Sequence, residues 1–419
     1  MDGAAILHAI ELLVGLVGLA AVVAFVAHAI RIPDTVALVV AGILVGSLAT
    51  LAGAAPIEVP PEIVLVVLLP GLVFEAAYRL DIGVLRRWIG GIAMLAVPGV
   101  LVSAGVVALV IHAATGLRLD LAFIVGAIVS ATDPAAVVAT FKRLRAPRAL
   151  ATMVDGESLL NDGTGLVLFA IAVTGLTASI SLGDAAVTFA AAIVLSVLVG
   201  LVVGALAAGI ARATDDHLIE LTISFVLAYG SYLIADRLGL SGVLATVTAA
   251  VVLGNLGGRV LSPSGVDSVD TVWEFVAYLF TAVVFLLVGM AIPPARLLGS
   301  LWPIAVAIAA VVAGRAIIVY GLLGGASRLA PLPGLAEPIR VGWLHVLFWA
   351  GLRGAVAVAM ALALPEDVPQ RALVQEVAFG VVLFTVLVQG LTIGRVVTRS
   401  IDSEAVSVVP AAAGSATAE

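Results

Sequence analysis

The chain has 419 residues, of which 63% are hydrophobic and 11% charged, and its mean hydropathy is +1.26. Soluble domains are roughly 45 to 50% apolar and about 25% charged, so the composition excludes a soluble enzyme and predicts a polytopic membrane protein that faces lipid. The absence of cysteine excludes disulfides and thiolate chemistry, and the net charge of -7 argues against a nucleic-acid partner.

Thirteen apolar segments, each near the roughly 20 residues that cross a bilayer, lie between clusters of charge, proline and glycine. They do not alternate apolar and polar residues as the strands of a membrane barrel do. We therefore expect an all-α fold with about thirteen transmembrane helices. In chain order, the predicted spans are 4–30, 34–52, 61–80, 88–113, 119–143, 149–176, 184–211, 217–237, 240–258, 269–292, 298–324, 341–364 and 371–397.

The loop charges predict the orientation, because basic residues in short loops mark the cytoplasmic side. One set of loops, together with the C-terminal tail, holds fourteen Lys and Arg residues, whereas the other set holds four. We expect a multi-pass protein of the plasma or inner membrane, with its N-terminus outside and its C-terminus in the cytoplasm. Residues 1–397 would form the transmembrane unit, and residues 398–419 a short disordered cytoplasmic tail.

Six charged residues within the spans are candidates for a functional site. An ionised side chain at the bilayer centre costs about 2.5 to 3.5 kcal/mol on insertion scales, so it usually faces a cavity or a partner. The six are Glu75 in span 3, Asp133 in span 5, Glu157 and Asp162 in span 6, Arg315 in span 11 and Arg353 in span 12.

Span 6 carries polar side chains on two neighbouring helical faces. Asp155, Ser158 and Asp162 are spaced i, i+3 and i+7 and share one face. Glu157 and Asn161 form an i, i+4 pair on the next face. The two acids at 157 and 162 should therefore have different partners.

Glu157 and Arg315 lie at matching depths, about eight and nine residues from the cytoplasmic ends of their predicted spans. We predict that they form a buried ion pair. This pair would leave Asp133 and Asp162 without a neutralising cation from the protein.

Spans 5 and 12 each contain a predicted break. Pro134 removes a backbone donor and disfavours helical geometry at Asp133, and Gly351 and Gly354 flank Arg353. The two spans are seven apart and cross the membrane in opposite directions, which is typical of inverted repeats with two crossing broken helices. Their oxygen ligands favour Na⁺, Li⁺ or K⁺ over transition metals.

Buried carboxylates suit the exchange of a cation for a proton. Burial favours the protonated form, whereas a bound cation stabilises the charged form. If only one of the two ions occupies the site while it changes sides, coupled exchange follows without a cofactor.

These motifs resemble the NhaP-like branch of the monovalent cation/proton antiporters, which includes the eukaryotic Na⁺/H⁺ exchangers. The resemblance implies a core domain crossed by two unwound helices and moving as an elevator, a separate dimerisation domain, and a homodimer. The matching segments are Thr132-Asp133-Pro134, Gly156-Glu157-Ser158-Leu159-Leu160-Asn161-Asp162-Gly163, Phe74-Glu75-Ala76-Ala77 and Gly351-Leu352-Arg353-Gly354-Ala355.

The resemblance also implies residue roles. Glu157 and Arg315 match the family's buried pair. Asn161, which precedes the binding aspartate, is similar to the electroneutral branch and implies one proton per cation. The implied Na⁺ ligands are Asp133, Asp162, Ser158 and Thr132, with Glu75 nearby and able to act through water.

Several of these residues could have either a structural or a functional role. Arg353 could satisfy free carbonyls at the break in span 12, and Glu157 with Arg315 could carry protons instead of only pairing. Glu75 could be functional or structural, and His345 could sense pH or only stabilise its helix.

The leading hypothesis is a secondary antiporter that exchanges cytoplasmic Na⁺ or Li⁺ for external H⁺ in a lipid membrane. A K⁺/H⁺ antiporter would keep the same residues and differ in cavity size and ligand number. A cation channel would also use midplane acids, but it would pass only downhill current. A membrane hydrolase would need a metal motif that the five histidines do not form, or a pair of aspartates that cleaves peptides.

Overall fold

The computed structural model describes residues 3–30, 32–53, 59–178, 180–292, 294–329, 334 and 338–407. All regular elements in these ranges are helices. Arg31, which contributes to the basic loop count, and residues 408–419 of the predicted tail lie outside the described residues.

Each predicted apolar segment corresponds to one helix or to consecutive helices. Three π-helical turns, Ile63–Leu68, Ile317–Leu323 and Thr385–Gln389, and one 3₁₀ turn, Leu298–Ser300, lie between α-helices. The α-helices are α1 Gly3–Ile30, α2 Asp34–Leu51, α3 Leu69–Tyr78, α4 Ile82–Ala96, α5 Pro98–Thr115, α6 Leu119–Ile128, α7 Ala135–Leu144, α8 Arg148–Thr177, α9 Leu182–Ala211, α10 His217–Arg237, α11 Gly242–Val260, α12 Pro263–Ala291, α13 Pro294–Leu297, α14 Leu301–Ala316, α15 Gly324–Leu329, α16 Val341–Trp349, α17 Ala355–Leu362, α18 Arg371–Phe384 and α19 Gly390–Ser407.

Among the described residues, nine helical segments are long and apolar enough to cross a membrane. This confirms an all-helical, multi-pass membrane protein. Four predicted spans are not among the nine. Spans 1 and 3 correspond to shorter apolar helices, Val14–Ile30 and Ile63–Tyr78. Breaks divide spans 5 and 12 into α6 and α7, of 10 residues each, and α16 and α17, of 9 and 8 residues.

Several helix ends differ from the predicted limits. α4 begins at Ile82 instead of residue 88, because the Asp81 carboxylate accepts a hydrogen bond from the Gly83 N–H at 2.7 Å and caps the helix. α12 begins at Pro263 instead of residue 269, since proline suits the first helical turn. α19 continues to Ser407, so the tail predicted to be disordered from residue 398 begins with helix.

Helices α1–α3 and α9–α12, here called the scaffold, pack closely through small residues. A Cβ added at Gly42 of α2 would lie 2.9 Å from the Gly289 Cα of α12. A Cβ at Gly204 of α9 would lie 3.0 Å from the Ala249 Cα of α11. Small side chains allow this close backbone approach within a membrane.

Helices α4–α8 and α13–α19, here called the core, contain both breaks. A separate apolar cluster packs five of these helices together. The five helices are α4, α7, α8, α16 and α19. Each contributes a buried side chain, which in the same order are Trp88, Val137, Met153, Leu347 and Val397. This cluster supports the half-helices that begin or end at the breaks.

Candidate functional site

The two interrupted helices contact each other at their breaks. Residues 129–134 separate α6 from α7, and residues 350–354 separate α16 from α17. The Asp133 N–H donates to the carbonyl of Leu352 at an N···O distance of 2.8 Å. Backbone groups that lost their helical partners therefore pair across the two breaks.

The Asp133 carboxylate lies at the N-termini of two half-helices. Its Oδ1 accepts a hydrogen bond from the Ala135 N–H of α7 at 2.9 Å. The Ala355 N–H of α17 also donates to this carboxylate. Helix N-termini present free N–H groups and the positive end of the helix dipole, so both half-helices stabilise a negative charge at Asp133.

Arg353 lies at the C-termini of the other two half-helices, α6 and α16, and is 2% exposed. Its Nε donates to the carbonyl of Val129, just after α6, at 2.7 Å. Its Nη1 donates to the carbonyl of Gly351, just after α16. The guanidinium thus satisfies carbonyls at two helix C-termini, where a positive charge is favoured.

The sequence analysis did not identify Thr385, which holds the break in span 12. Its hydroxyl accepts from the Arg353 N–H at 3.0 Å, and its proton is shared between the Val382 carbonyl at 3.0 Å and the Arg353 carbonyl at 3.3 Å. Thr385 begins the π-helical turn between α18 and α19. In the sequence, the feature that could have identified Thr385 is its position as a polar residue near the middle of an apolar span.

Thr132, next to Asp133, is held by two side chains of α8. Asn161 accepts from the Thr132 N–H at 3.1 Å and donates to the Thr132 hydroxyl at 2.6 Å. The Ser158 Oγ lies 3.1 Å from the Thr132 Oγ1. These bonds fix the break in span 5 against α8 and bring two hydroxyl oxygens together.

Asp162 is 9% exposed and its charge interacts with that of Asp133. In the described part of the chain, neither aspartate forms a salt bridge with an arginine or lysine. Two carboxylates that share a site cannot both ionise readily without a cation. The arrangement is therefore suited to holding either a proton or a cation.

Glu157 and Arg315 form a buried ion pair, with side chains 3% and 7% exposed. Both terminal guanidinium nitrogens of Arg315 donate to Glu157, and the Nη2···Oε2 distance is 2.9 Å. Arg315 also donates to the Leu347 carbonyl in the last turn of α16, at 2.6 Å from Nη2. The pair links α8, α14 and α16. Arg315 therefore pairs with Glu157 and forms no salt bridge with Asp133 or Asp162.

Glu75 pairs with Arg79, one of the fourteen basic residues counted on the predicted cytoplasmic side. The Glu75 Oε1 lies 2.6 Å from the Arg79 Nε, and the Arg79 Nη2 lies 3.4 Å from the Glu274 Oε2. The i, i+4 spacing of Glu75 and Arg79 was the available signal. The Glu75 charge also interacts with Asp155, whose Oδ1 is buried without a hydrogen-bond partner among the described residues.

Comparison with known proteins yields one family over most of the chain. Residues 17–399 match the family model described as sodium/hydrogen exchanger, transmembrane. The low-affinity Na(+)/H(+) antiporter NhaS1 of Synechocystis sp. is 37% identical over 366 residues, which are 86% of this chain and 68% of that protein. The Na(+)/H(+) antiporter NhaH of Halobacillus aidingensis is 34% identical over 399 residues, which are 92% of this chain and 96% of that protein.

The fold has a counterpart among solved structures. The sodium proton antiporter MjNhaP1 from Methanocaldococcus jannaschii, solved at pH 8, is similar with a TM-score of 0.76. The similarity covers 94% of this chain and 98% of that one at 19% sequence identity. At this identity the comparison establishes a common fold.

Proposed function

Because the chain belongs to the sodium/hydrogen exchanger family, we propose that it is a secondary antiporter exchanging Na⁺ or Li⁺ for H⁺ across the cell membrane. The observation that carries the proposal is the pair formed by half-buried Asp133 and buried Asp162, whose charges interact and which have no salt bridge to a protein cation in the described ranges. A site of this kind needs a cation or a proton to be neutral.

We propose four residues as the Na⁺ ligands: Asp133, Asp162, Ser158 and Thr132. The hydroxyls of Thr132 and Ser158 already lie 3.1 Å apart. Hard oxygen donors suit an alkali cation. When Na⁺ leaves, a proton takes its place on the aspartates, so the two ions compete for one site.

The proposed ratio is one proton per cation. Asn161 supports this ratio because it is neutral and its amide is engaged at both ends with Thr132. One proton that replaces one Na⁺ leaves the net charge of the moving site unchanged. Transport should then be independent of membrane potential.

The proposed mechanism moves the core against the scaffold in a homodimer, as the family resemblance implies. The two breaks are bonded to each other within the core, which supports movement of the site as one unit. We propose inverted repeats around these crossing breaks, the N-terminus outside and the C-terminus in the cytoplasm. Native mass spectrometry in mild detergent tests the dimer, and maleimide labelling of single cysteines added at each terminus tests the orientation.

The proposed function is tested in proteoliposomes that report internal pH after addition of Na⁺, Li⁺ or K⁺. We expect cation-driven proton movement in the wild type, at a rate that does not change with a clamped membrane potential. Asp162→Asn should abolish this movement, because an amide can neither release a proton nor balance a cation. Asp184→Asn changes an exposed carboxylate at the start of α9 and should transport as the wild type does.

Each outcome of this assay decides one part of the proposal. Exchange that persists in Asp162→Asn would rule out the site assignment. Proton movement with K⁺ alone would reassign the substrate, and a purely downhill current would favour a channel. A rate that follows the membrane potential would exclude the one-to-one ratio.

A further inference from the structure

A small cavity lies beside Asp133 where the core meets the scaffold. Its volume is about 10 Å³, and its polar lining comes from Thr35, Asp133 and Arg353. The rest of the lining is apolar and belongs to α7, α12, the 350–354 break and the π-helical turn after α18. The cavity therefore lies between α2 of the scaffold and both breaks of the core.

Thr35 contributes a hydroxyl that has no hydrogen-bond partner in the described part of the chain. The residue is 6% exposed, and within the described residues its Oγ1 is buried without a hydrogen bond. Buried hydroxyls are nearly always bonded to protein or to ordered water, since an unmet hydrogen bond costs free energy. Thr35 and Asp133 line the same cavity.

We propose that this cavity binds one water molecule that bridges the Thr35 hydroxyl and the Asp133 carboxylate. A single water needs a cavity of about 10 to 15 Å³ and two to four polar partners. The Thr35 hydroxyl and the carboxylate are two partners, and Arg353 lines the same space. Water can donate to the carboxylate and at the same time bond the hydroxyl.

The positive charge of Arg353 favours water over a second cation in this cavity. Arg353 is positively charged and lines the cavity, so it repels a cation there. The side-chain oxygens come from only two residues, fewer than an alkali ion that loses its hydration shell requires. The water site is thus separate from the cation site proposed at the Thr132 and Ser158 hydroxyls on the α8 side of Asp133.

The water gives Thr35 a positioning role that rests on the proposed function. Thr35 belongs to the scaffold and Asp133 to the core, so the bridge spans the interface between them. A hydrogen bond from the water stabilises the charged carboxylate, which is the form that binds Na⁺. Removal of the hydroxyl should weaken Na⁺ binding without a change in any proposed ligand.

The direct test is a structure of the full-length wild type at a resolution that shows ordered water, with Thr35→Val and Thr35→Ser beside it. We expect density for one water in the wild type and in Thr35→Ser, which keeps the hydroxyl, and none in Thr35→Val. Wild-type maps without this density would overturn the proposal even if Thr35→Val failed to fold. Density that persists in Thr35→Val would show that Thr35 does not hold the water.

A transport measurement tests the positioning role. Thr35→Val should raise the Na⁺ concentration for half-maximal exchange several-fold, and Thr35→Ser should recover most of the wild-type value. Ser103→Ala is the matched control, because Ser103 is also buried and its hydroxyl has no partner within the described ranges, but it lies outside the cavity lining. An unchanged half-maximal concentration in Thr35→Val would refute the role. A wild type that binds the water but exchanges no cation would refute only the proposed function.

Discussion

At the scale of single residues, the buried charges differ in what neutralises them. Arg315 neutralises Glu157, and the hydrogen bond to the Leu347 carbonyl satisfies more of the same guanidinium. Among the described residues, Asp133 accepts from backbone N–H groups, and its charge interacts with that of Asp162. The first pair is suited to holding helices together, and the second is suited to exchanging ions.

Breaking the buried pair should destabilise the protein. Glu157→Gln or Arg315→Gln alone leaves an uncompensated buried charge, which costs about 3 to 5 kcal/mol. We expect a large drop in the thermal unfolding temperature in detergent, and a smaller loss in the double variant than the sum of the two.

Arg118→Gln is the control for the pair, because Arg118 and Asp120 form a salt bridge with side chains 61% and 39% exposed. Such surface pairs contribute about 0 to 1 kcal/mol. If both Glu157→Gln and Arg315→Gln unfolded at the wild-type temperature, the stabilising role of the buried pair would have to be abandoned.

Arg79 should compete with the transported cation for Glu75. The ion pair at 2.6 Å occupies a carboxylate that the resemblance places near the ion. We therefore expect Arg79→Gln to lower the Na⁺ concentration for half-maximal exchange a few-fold in the proteoliposome assay. Glu274→Gln keeps the pair of Glu75 with Arg79 and should change this value little. Equal half-maximal concentrations in wild type and Arg79→Gln would contradict the competition.

At the scale of elements, the two breaks form one unit with opposite charges at opposite helix ends. Two half-helix N-termini face the Asp133 carboxylate, and two C-terminal carbonyls accept from Arg353. This placement follows the direction of the helix dipole. A change that separates the two breaks should therefore affect transport even when no proposed ligand is altered.

Gly354→Ala should separate the breaks at Asp133. A Cβ at Gly354 would lie 2.6 Å from the Asp133 Cγ and closer still to the Asp133 Oδ2. Real Cβ atoms essentially never come so near, so the carboxylate must move. We expect loss of most exchange activity with the protein still inserted. Gly105→Ala, in α5 with no atom within 4 Å of the new methyl, should retain activity. Full exchange by Gly354→Ala would mean that this close approach is dispensable.

At the scale of the whole molecule, the scaffold packs through glycines and alanines, whereas the interface of α2 with the core contains a small cavity lined in part by Thr35, Asp133 and Arg353. Close apolar packing of this kind resists sliding. The proposed elevator movement should therefore occur at the cavity interface and leave the contacts within the scaffold intact.

Reversible cross-links test this movement, since the chain has no cysteine of its own. Cysteines at Thr35 and Ala136, both lining the cavity, join scaffold to core. Their bridging by mercuric ion should stop exchange, and a thiol reagent should restore it. The control pair replaces Ser231 of α10 and Thr246 of α11 within the scaffold, whose hydroxyl oxygens lie 3.2 Å apart. Bridging this pair should leave exchange intact. Continued exchange while the cysteines at positions 35 and 136 are bridged would exclude movement at this interface.

The class of the protein and the local features of the candidate site follow from its amino-acid sequence alone. Hydropathy predicted the helical segments, and the family match confirms the resemblance carried by the motifs. Pro134 and the glycines beside Arg353 predicted both breaks, and helical spacing separated Asp162 from Glu157. These features depend on backbone chemistry and on residues a few positions apart, which a sequence displays directly.

The partners of groups that are far apart in the sequence depend on how the helices pack. Arg353 bonds the carbonyl of Val129, 224 positions away, instead of pairing with an aspartate. Thr385 holds the break in span 12, and Thr35 shares a cavity with Asp133. In a membrane span many polar residues lie at similar depths, so depth alone leaves several possible partners for each. Helix packing selects among them, because it sets which faces and which broken ends come within hydrogen-bond distance.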